Sequence, residues 1–372
     1  MTDERVAGGS GGYICWFEDC GGASVATVGG KCASLGELLR AGVDVPSGFA
    51  LTTAAHRDFL AVTGVNHEAA HLAATADLHD RDSVAAVTAQ IRSLFEQCDI
   101  PPAIDDAIST SYSRLGERAG RVDPPVAVRS SATAEDHHAA SFAGQLETYL
   151  WVEGIEAVHR YVLRCWSALF EPHTVTYCQQ VGVAYEDMVM SLGIQQMVNA
   201  KCAGVLFTLN PINGDRSKVL VESCWGLGEG VVTGEVDADR FMLDKVTFDI
   251  LDRHHGAKTH AFRHVGGDPL VELVPVEASL ASSPSLSDDE LVTLAKVGKQ
   301  IERHYGIPMD VEWAIGSKAN PDDLDHLFIL QARPETVASR SDGSTVERSS
   351  GSALDVLVQG MVARGGRGDP AK

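Results

Sequence analysis

Residues 188–210 read MVMSLGIQQMVNAKCAGVLFTLN. The chain changes character here. From about residue 186 onward, short apolar runs follow one another. MVMSLGIQQMV (188–198) and CAGVLFTLN (202–210) read as strands. KVLVESCWG (218–226), VDADRFMLDK (236–245), VEWAI (311–315) and LFILQARP (327–334) extend the series, and together they predict an antiparallel sheet. One helix interrupts them. LSDDELVTLAKVGKQIERHY (286–305) is amphipathic and opens on a serine cap with acids in its first turn.

Before residue 186 the spacing is mostly helical. KCASLGELLRAG (31–42) predicts a helix that ends on Gly42. VPSGFALTT (45–53) reads as a turn and a short strand, and residues 53–63 as a second helix. Segments 83–98 and 101–118 read as helices, the first capped by Asp82 or Ser83. PPVAVRSSA (124–132) is a short apolar strand running into a polar loop. Residues 154–180 read as helical, with Trp166, Phe170 and Tyr177 facing the core. The sum is an α+β protein of two lobes, residues 1–185 and 186–336. A Ser/Arg/Asp/Gly-rich linker, VASRSDGSTVERSSGS (337–352), then leads into a tail that ends at residue 372.

The chain carries a net charge of −21, and no run of four Lys or Arg occurs in it. Such a surface repels nucleic acid and anionic membranes, so neither is an expected partner. The start, MTDERVAGGSGG, lacks the basic and apolar regions of a signal peptide, and no apolar run reaches the length of a membrane span. Eight scattered cysteines without a C-x-x-C pair are expected to be free thiols in a reducing cytoplasm. ATP remains an allowed ligand, because a few aimed cations and N–H groups suffice locally.

Four stretches carry chemistry. In VGGKCASLGEL (28–38), Gly29 and Gly30 permit a tight turn before Lys31 opens a helix. A lysine there can meet phosphate with help from free N–H groups, although a solvated lysine after a Gly turn has the same sequence. In VRSSATAED (128–136), Arg129 ends a strand and offers a fork for phosphate oxygens. SFAGQLET (141–148) then supplies Gly144, which allows close backbone approach to an anion; the alternative is a polar surface loop. In IQQMV (194–198), Gln195 and Met197 share one strand face, and backbone nearby suits a flat heterocycle. In DVEWAIG (310–316) and LFILQARPET (327–336), Asp310, Glu312 and Ala314 are expected on one face, as are Ile329, Gln331 and Arg333. An acid, an amide oxygen and an arginine on adjacent strands suit Mg²⁺ plus phosphate, whereas an ordinary cross-strand ion pair is the plainer alternative.

Together these motifs resemble a known family. VGGKCASLGEL, VPSGFALT, VRSSATAED…SFAGQLET, QQMV…AGVLFTLNP, GLGEGVVTG, DVEW and QARPET are similar, in order and over about residues 13–336, to the ATP-binding domain shared by phosphoenolpyruvate synthase, pyruvate phosphate dikinase and rifampicin phosphotransferase. The resemblance implies an ATP-grasp fold with ATP held between two lobes. It implies that Lys31 and Arg129 bind phosphate, that Gly144 and Thr148 contact it from the phosphate loop, and that Gln195 binds the nucleotide. It further implies Glu312 and Gln331 as Mg²⁺ ligands and Arg333 as the arginine at the transferred phosphoryl group. Cys32 stands where the family usually has Asn, and Leu146–Glu147 replace its usual pair before Thr148.

None of the 14 histidines lies in the family's Gly-rich phosphohistidine loop, and His137–His138 match ordinary loop positions. The resemblance therefore implies a split dikinase-type enzyme. The phosphoryl group would pass from ATP, leaving AMP and phosphate, to a histidine on a separate swivelling subunit, and from there to a small-molecule acceptor on an acceptor-binding domain. Likeness to phenylphosphate synthase points to a phenol or cresol. LDVLVQGMVARGGRG (354–368) is similar to the entry into the swivelling domain and is expected to dock on the partner as an added strand, a disordered terminus being the alternative. A stand-alone ATP-grasp ligase or kinase, or a non-catalytic nucleotide-sensing subunit, is the alternative.

Overall fold

The computed structural model describes residues 12–132, 148–181, 188–267, 270–316 and 326–335. The Gly-rich start, the loop with His137, His138 and Gly144, and the expected docking tail lie outside the described residues. The chain divides into two compact units, Met1–Glu37 with Ser47–Met197, and Leu38–Pro46 with Val198–Lys372.

The first unit has strands β1 (Ile14–Trp16), β2 (Gly48–Leu51), β3 (Val126–Ala132), β4 (Thr148–Val152) and β5 (Met190–Gln196). They form one antiparallel sheet in the order β1-β2-β5-β3-β4. Strand β5, which the sequence grouped with the later strands, thus lies at the centre of this earlier sheet. A central strand is covered on both faces, as six of the seven residues of β5 are buried, and nothing local in MSLGIQQ tells which sheet it joins. Alternation sends Val126, Val128 and Ser130 of β3 to one face, where all three are fully buried. Helix Ile155–Ser167 packs on that side, with the Cys165 thiol donating to the Val128 carbonyl. Trp166 lies at the middle of a buried aromatic group with His56 and Phe59, and Phe95 and Phe170 extend it.

The helical expectations need three corrections. Residues 154–180 do not form one helix: Ile155–Ser167 and Pro172–Val181 are separate, because Pro172 supplies no N–H to continue the first. Tyr177 is only partly buried. Helix Arg81–Glu96 is capped by Asp80, whose carboxylate accepts from the Asp82 N–H at 3.0 Å, while Ser83 accepts from Asp77 instead.

The second unit holds β6 (Ala200–Phe207), β7 (Lys218–Trp225), β8 (Asp239–Asp244), β9 (Ile250–His254), β10 (His260–His264), β11 (Val271–Pro275), β12 (Met309–Gly316) and β13 (His326–Pro334). Six form an antiparallel sheet in the order β13-β12-β6-β7-β8-β9, and β10 pairs with β11 as a separate hairpin. Helix Asp288–Tyr305 covers one face of the large sheet. It is started by the capping box the sequence announced: the Ser287 hydroxyl accepts from the Glu290 N–H, and the Glu290 carboxylate accepts from the Ser287 N–H at 2.7 Å. At Gly298 the helix comes so near the sheet that a Cβ would lie 2.6 Å from a Leu206 methyl. The opposite face carries Gln331, Glu312 and Glu222.

Candidate functional site

In the first unit the site begins at a break in a helix. Helix Val25–Arg40 has one non-helical residue, Gly29, with φ 72° and ψ 168°. A Cβ there would lie 2.0 Å from the Ser131 carbonyl oxygen, so only glycine fits. The turn is then fixed to β3, where the Cys32 N–H donates to the Ser131 hydroxyl at 3.1 Å. Lys31, half-buried, is thereby carried to the strand that holds Arg129.

Arg129 lies opposite Gly193 on β5 and opposite Thr148 on β4. Gly193 has no side chain, and the space is filled by the Arg129 stem and the Cys32 sulfur. Arg129 is 8% exposed, and its Nη1 donates to the Gln195 Oε1 at 3.5 Å. Gln195 is 3% exposed, and its amide nitrogen has no hydrogen-bond partner among the described residues. An oriented, buried N–H₂ group next to a buried guanidinium is a ready donor set for an anion or a polar ligand edge. Thr148 is exposed on the same face. Of the phosphate-side residues expected from the sequence, Arg129, Gln195 and Thr148 lie on the first sheet, Lys31 lies in the helix whose Cys32 N–H is tied to β3, and Gly144 lies outside the described residues.

In the second unit the register of two strands builds the site. Asp310 on β12 is opposite Arg333 on β13, and Glu312 is opposite Gln331. The Arg333 Nε donates to the Asp310 carboxylate at 2.8 Å. Burial pushes the Asp310 carboxyl pKa up, Arg333 partly offsets this, and the charges of Glu312 and Glu335 add to the rise. One expectation fails. Ile329 pairs with Trp313 on the other face, because Leu330 is an extra residue at a β-bulge beside Glu312. The bulge leaves Gln331 and Arg333 facing with Glu312 and Asp310, and moves Ile329 away.

Two acids were not singled out by the sequence reading. Glu222 is 1% exposed on β7 and lies 3.7 Å from the Arg240 Nε. It is opposite Val205, which is opposite Glu312, so one row across the sheet reads Gln331–Glu312–Val205–Glu222–Arg240. Glu229 opens the short helix Glu229–Val232 after a Gly-Leu-Gly turn. At Gly226, φ is 73° and a Cβ would lie 2.5 Å from the Phe262 carbonyl, and the Leu227 N–H donates to that same oxygen. The half-buried Glu229 carboxyl is pushed up by burial first and then by the charges of Glu312 and Glu235. The signal in the sequence was an acid enclosed by glycines in GLGEG directly after a strand.

Among the described residues no three His, Cys, Asp or Glu side chains are grouped to hold a metal alone. Mg²⁺ does not require that: it takes one or two carboxylates and completes its shell with phosphate and water. Glu312 and Gln331 stand opposite each other on adjacent strands and offer a carboxylate and an amide oxygen. The donor set fits Mg²⁺.

The family model described as the pyruvate phosphate dikinase AMP/ATP-binding domain matches residues 25–352. A probable phosphoenolpyruvate synthase of Methanocaldococcus jannaschii is 38% identical over 364 residues, covering 98% of this chain and 30% of that protein. Its counterpart in Methanothermobacter thermautotrophicus is also 38% identical, over 95% of this chain and 50% of its own length. A rifampicin phosphotransferase of a Streptomyces species is 39% identical over 88% of this chain and 36% of its own length. The chain thus spans half or less of the length of these relatives. No helix among the described residues is long and apolar enough to cross a membrane.

Proposed function

The chain belongs to the family of the pyruvate phosphate dikinase AMP/ATP-binding domain, and from that membership we propose that it binds ATP with Mg²⁺ and passes a phosphoryl group to a histidine carried outside this domain. The single observation that carries the reading is the cross-strand square of Asp310 with Arg333 and Glu312 with Gln331. It places carboxylate and amide oxygens beside an arginine whose direction is already fixed. Phosphoryl transfer needs little else from a protein than positioned charge.

In this reading Lys31 and Arg129 hold phosphate oxygens, with Gly144 and Thr148 contacting them as well, and Gln195 donates its unsatisfied amide to the nucleotide. Glu312 and Gln331 hold Mg²⁺, which when bound neutralises charge on the phosphates. Arg333 stabilises the transferring group, and Asp310 keeps it aimed. The ATP-grasp architecture belongs to the same reading. AMP and phosphate are the by-products, and the phosphohistidine then serves a small-molecule acceptor, with a phenol the first compound to try.

The test is to incubate the chain with ATP and Mg²⁺, with and without a purified phosphohistidine domain from a phosphoenolpyruvate synthase. AMP, phosphate and an acid-labile phosphohistidine are expected only when both proteins are present. ADP formed by this chain alone would overturn the relay and favour a kinase or ligase.

A further inference from the structure

Cys15 and Cys20 hold their sulfurs 3.3 Å apart. Cys15 is the middle residue of β1, at the edge of the first sheet. A 3₁₀ turn, Phe17–Asp19, ends that strand, and the Cys20 N–H closes it by donating to the Trp16 and Phe17 carbonyls at 3.2 and 3.1 Å. The turn thereby folds a fully buried thiol beneath a half-exposed one.

The two sulfurs are not equivalent. The Cys20 thiol donates to the Cys15 sulfur, and this bond pulls the Cys15 pKa down against burial and the charges of Asp19 and Glu18. The same bond and burial push the Cys20 thiol up. One sulfur is therefore the nucleophile and the other the resolving group held in reach. The remaining cysteines do not share this arrangement. Cys32, Cys165, Cys178, Cys202 and Cys224 are buried. Cys98 is half-exposed like Cys15, but burial and then Asp99 and Glu68 push its thiol up, and it donates to the Leu94 carbonyl.

We propose that Cys15 and Cys20 are an oxidative modification site, at which a hydroperoxide converts the thiol pair to an intramolecular disulfide. The Cys15 thiolate attacks one peroxide oxygen; the S–O bond forms, the O–O bond breaks, and the leaving hydroxide takes up a proton as water. The Cys20 sulfur then attacks the Cys15 sulfenic acid; the S–S bond forms, the S–O bond breaks, and the thiol proton leaves with the hydroxyl as a second water. Two thiols and one hydrogen peroxide give one disulfide and two waters. The sulfurs must close from 3.3 Å to about 2.05 Å, which is within the reach of side-chain rotation.

The bond would form at the base of the Lys31 helix. A Cβ on Gly36 would lie 2.1 Å from the Cys20 carbonyl oxygen, and the Gly22 N–H donates to the Glu37 carboxylate at 2.9 Å. Cross-linking Cys15 to Cys20 therefore locks the turn on which that helix rests.

The experiment treats the intact chain with sub-millimolar hydrogen peroxide, blocks remaining thiols with iodoacetamide, and maps peptides by mass spectrometry. A bridge between Cys15 and Cys20, about 2 Da lighter than the dithiol and removed by dithiothreitol, is expected. In Cys20→Ser, dimedone should trap a sulfenic acid at Cys15, about tenfold faster than at Cys98. The wild-type map needs no variant to fold. Absence of the bridge while Cys98 is oxidised, or equal trapping at Cys98 and Cys15, would overturn the proposal.

Discussion

Arg333 is more than half exposed along its side chain, while the Asp310 that holds it is buried. The acid is thus a fixed point and the arginine a lever on it. In the proposed reading, Asp310→Asn should loosen the hold on the guanidinium and lower phosphoryl transfer by about 10–100-fold with the KM for ATP little changed, measured by steady-state AMP formation with the phosphohistidine domain present. Arg333→Lys keeps the charge but loses the fork, and should cost about 10²–10³-fold in kcat; a full rate in that variant would remove Arg333 from the reaction. His56 is a residue of stability instead. Its Nδ1 accepts from the Met190 N–H at 3.2 Å, and burial, with a smaller contribution from Arg57, lowers its pKa from 6.5 to about 3. The unfolded chain takes up this proton below pH 6.5 and the folded chain does not until about pH 3. The neutral imidazole's contribution is therefore complete above pH 6.5 and is lost as the pH falls, at about 1.4 kcal/mol per pH unit. Urea unfolding at a series of pH values should show that slope in the wild type and less of it in His56→Gln.

At the scale of elements, periodicity was a sound guide where one face of a helix or strand met a core. Helix Asp288–Tyr305 and its Ser287 cap were legible because both the stripe and the capping box are local. Ser287→Ala should cost about 1 kcal/mol, read from the shift of the denaturant midpoint. Strand β9 was not legible, since four of its five residues are exposed and leave no alternation to read. The bulge at Leu330 was not legible either. An inserted residue changes which side chains face together without altering composition, so Ile329 was assigned to the wrong face while Gln331 and Arg333 were grouped correctly. Gly29 was recognised as permitting a tight turn, yet the partner that demands it, Ser131, is about a hundred residues away and visible only in the fold. Gly29→Ala should lower stability by about 2 kcal/mol or more, and in the proposed reading weaken ATP binding by displacing Lys31. Thermal unfolding and calorimetric titration separate the two effects.

For the whole molecule, a net charge of −21 means the folded chain compresses like charge. Raising ionic strength from roughly 0.02 to 0.3 M should raise the Tm by about 2–4 °C, and a fall on adding salt would contradict this. An α-rich half followed by a β-rich half was visible, but the pairing of β5 with β2 and β3 is long-range, and so is the membership of Leu38–Pro46 in the second unit. In that short segment the Asp44 carbonyl accepts from the Ile329 N–H at 2.8 Å, and the Ala41 carbonyl accepts from the Gln300 side chain at 2.6 Å. A ribosome makes the acceptors well before their donors. Nascent chains arrested before β13 has emerged should therefore be cut by protease within residues 38–46, and those arrested after residue 335 has cleared the exit tunnel should resist. Translation order thus makes one early loop the last piece of the second unit to settle.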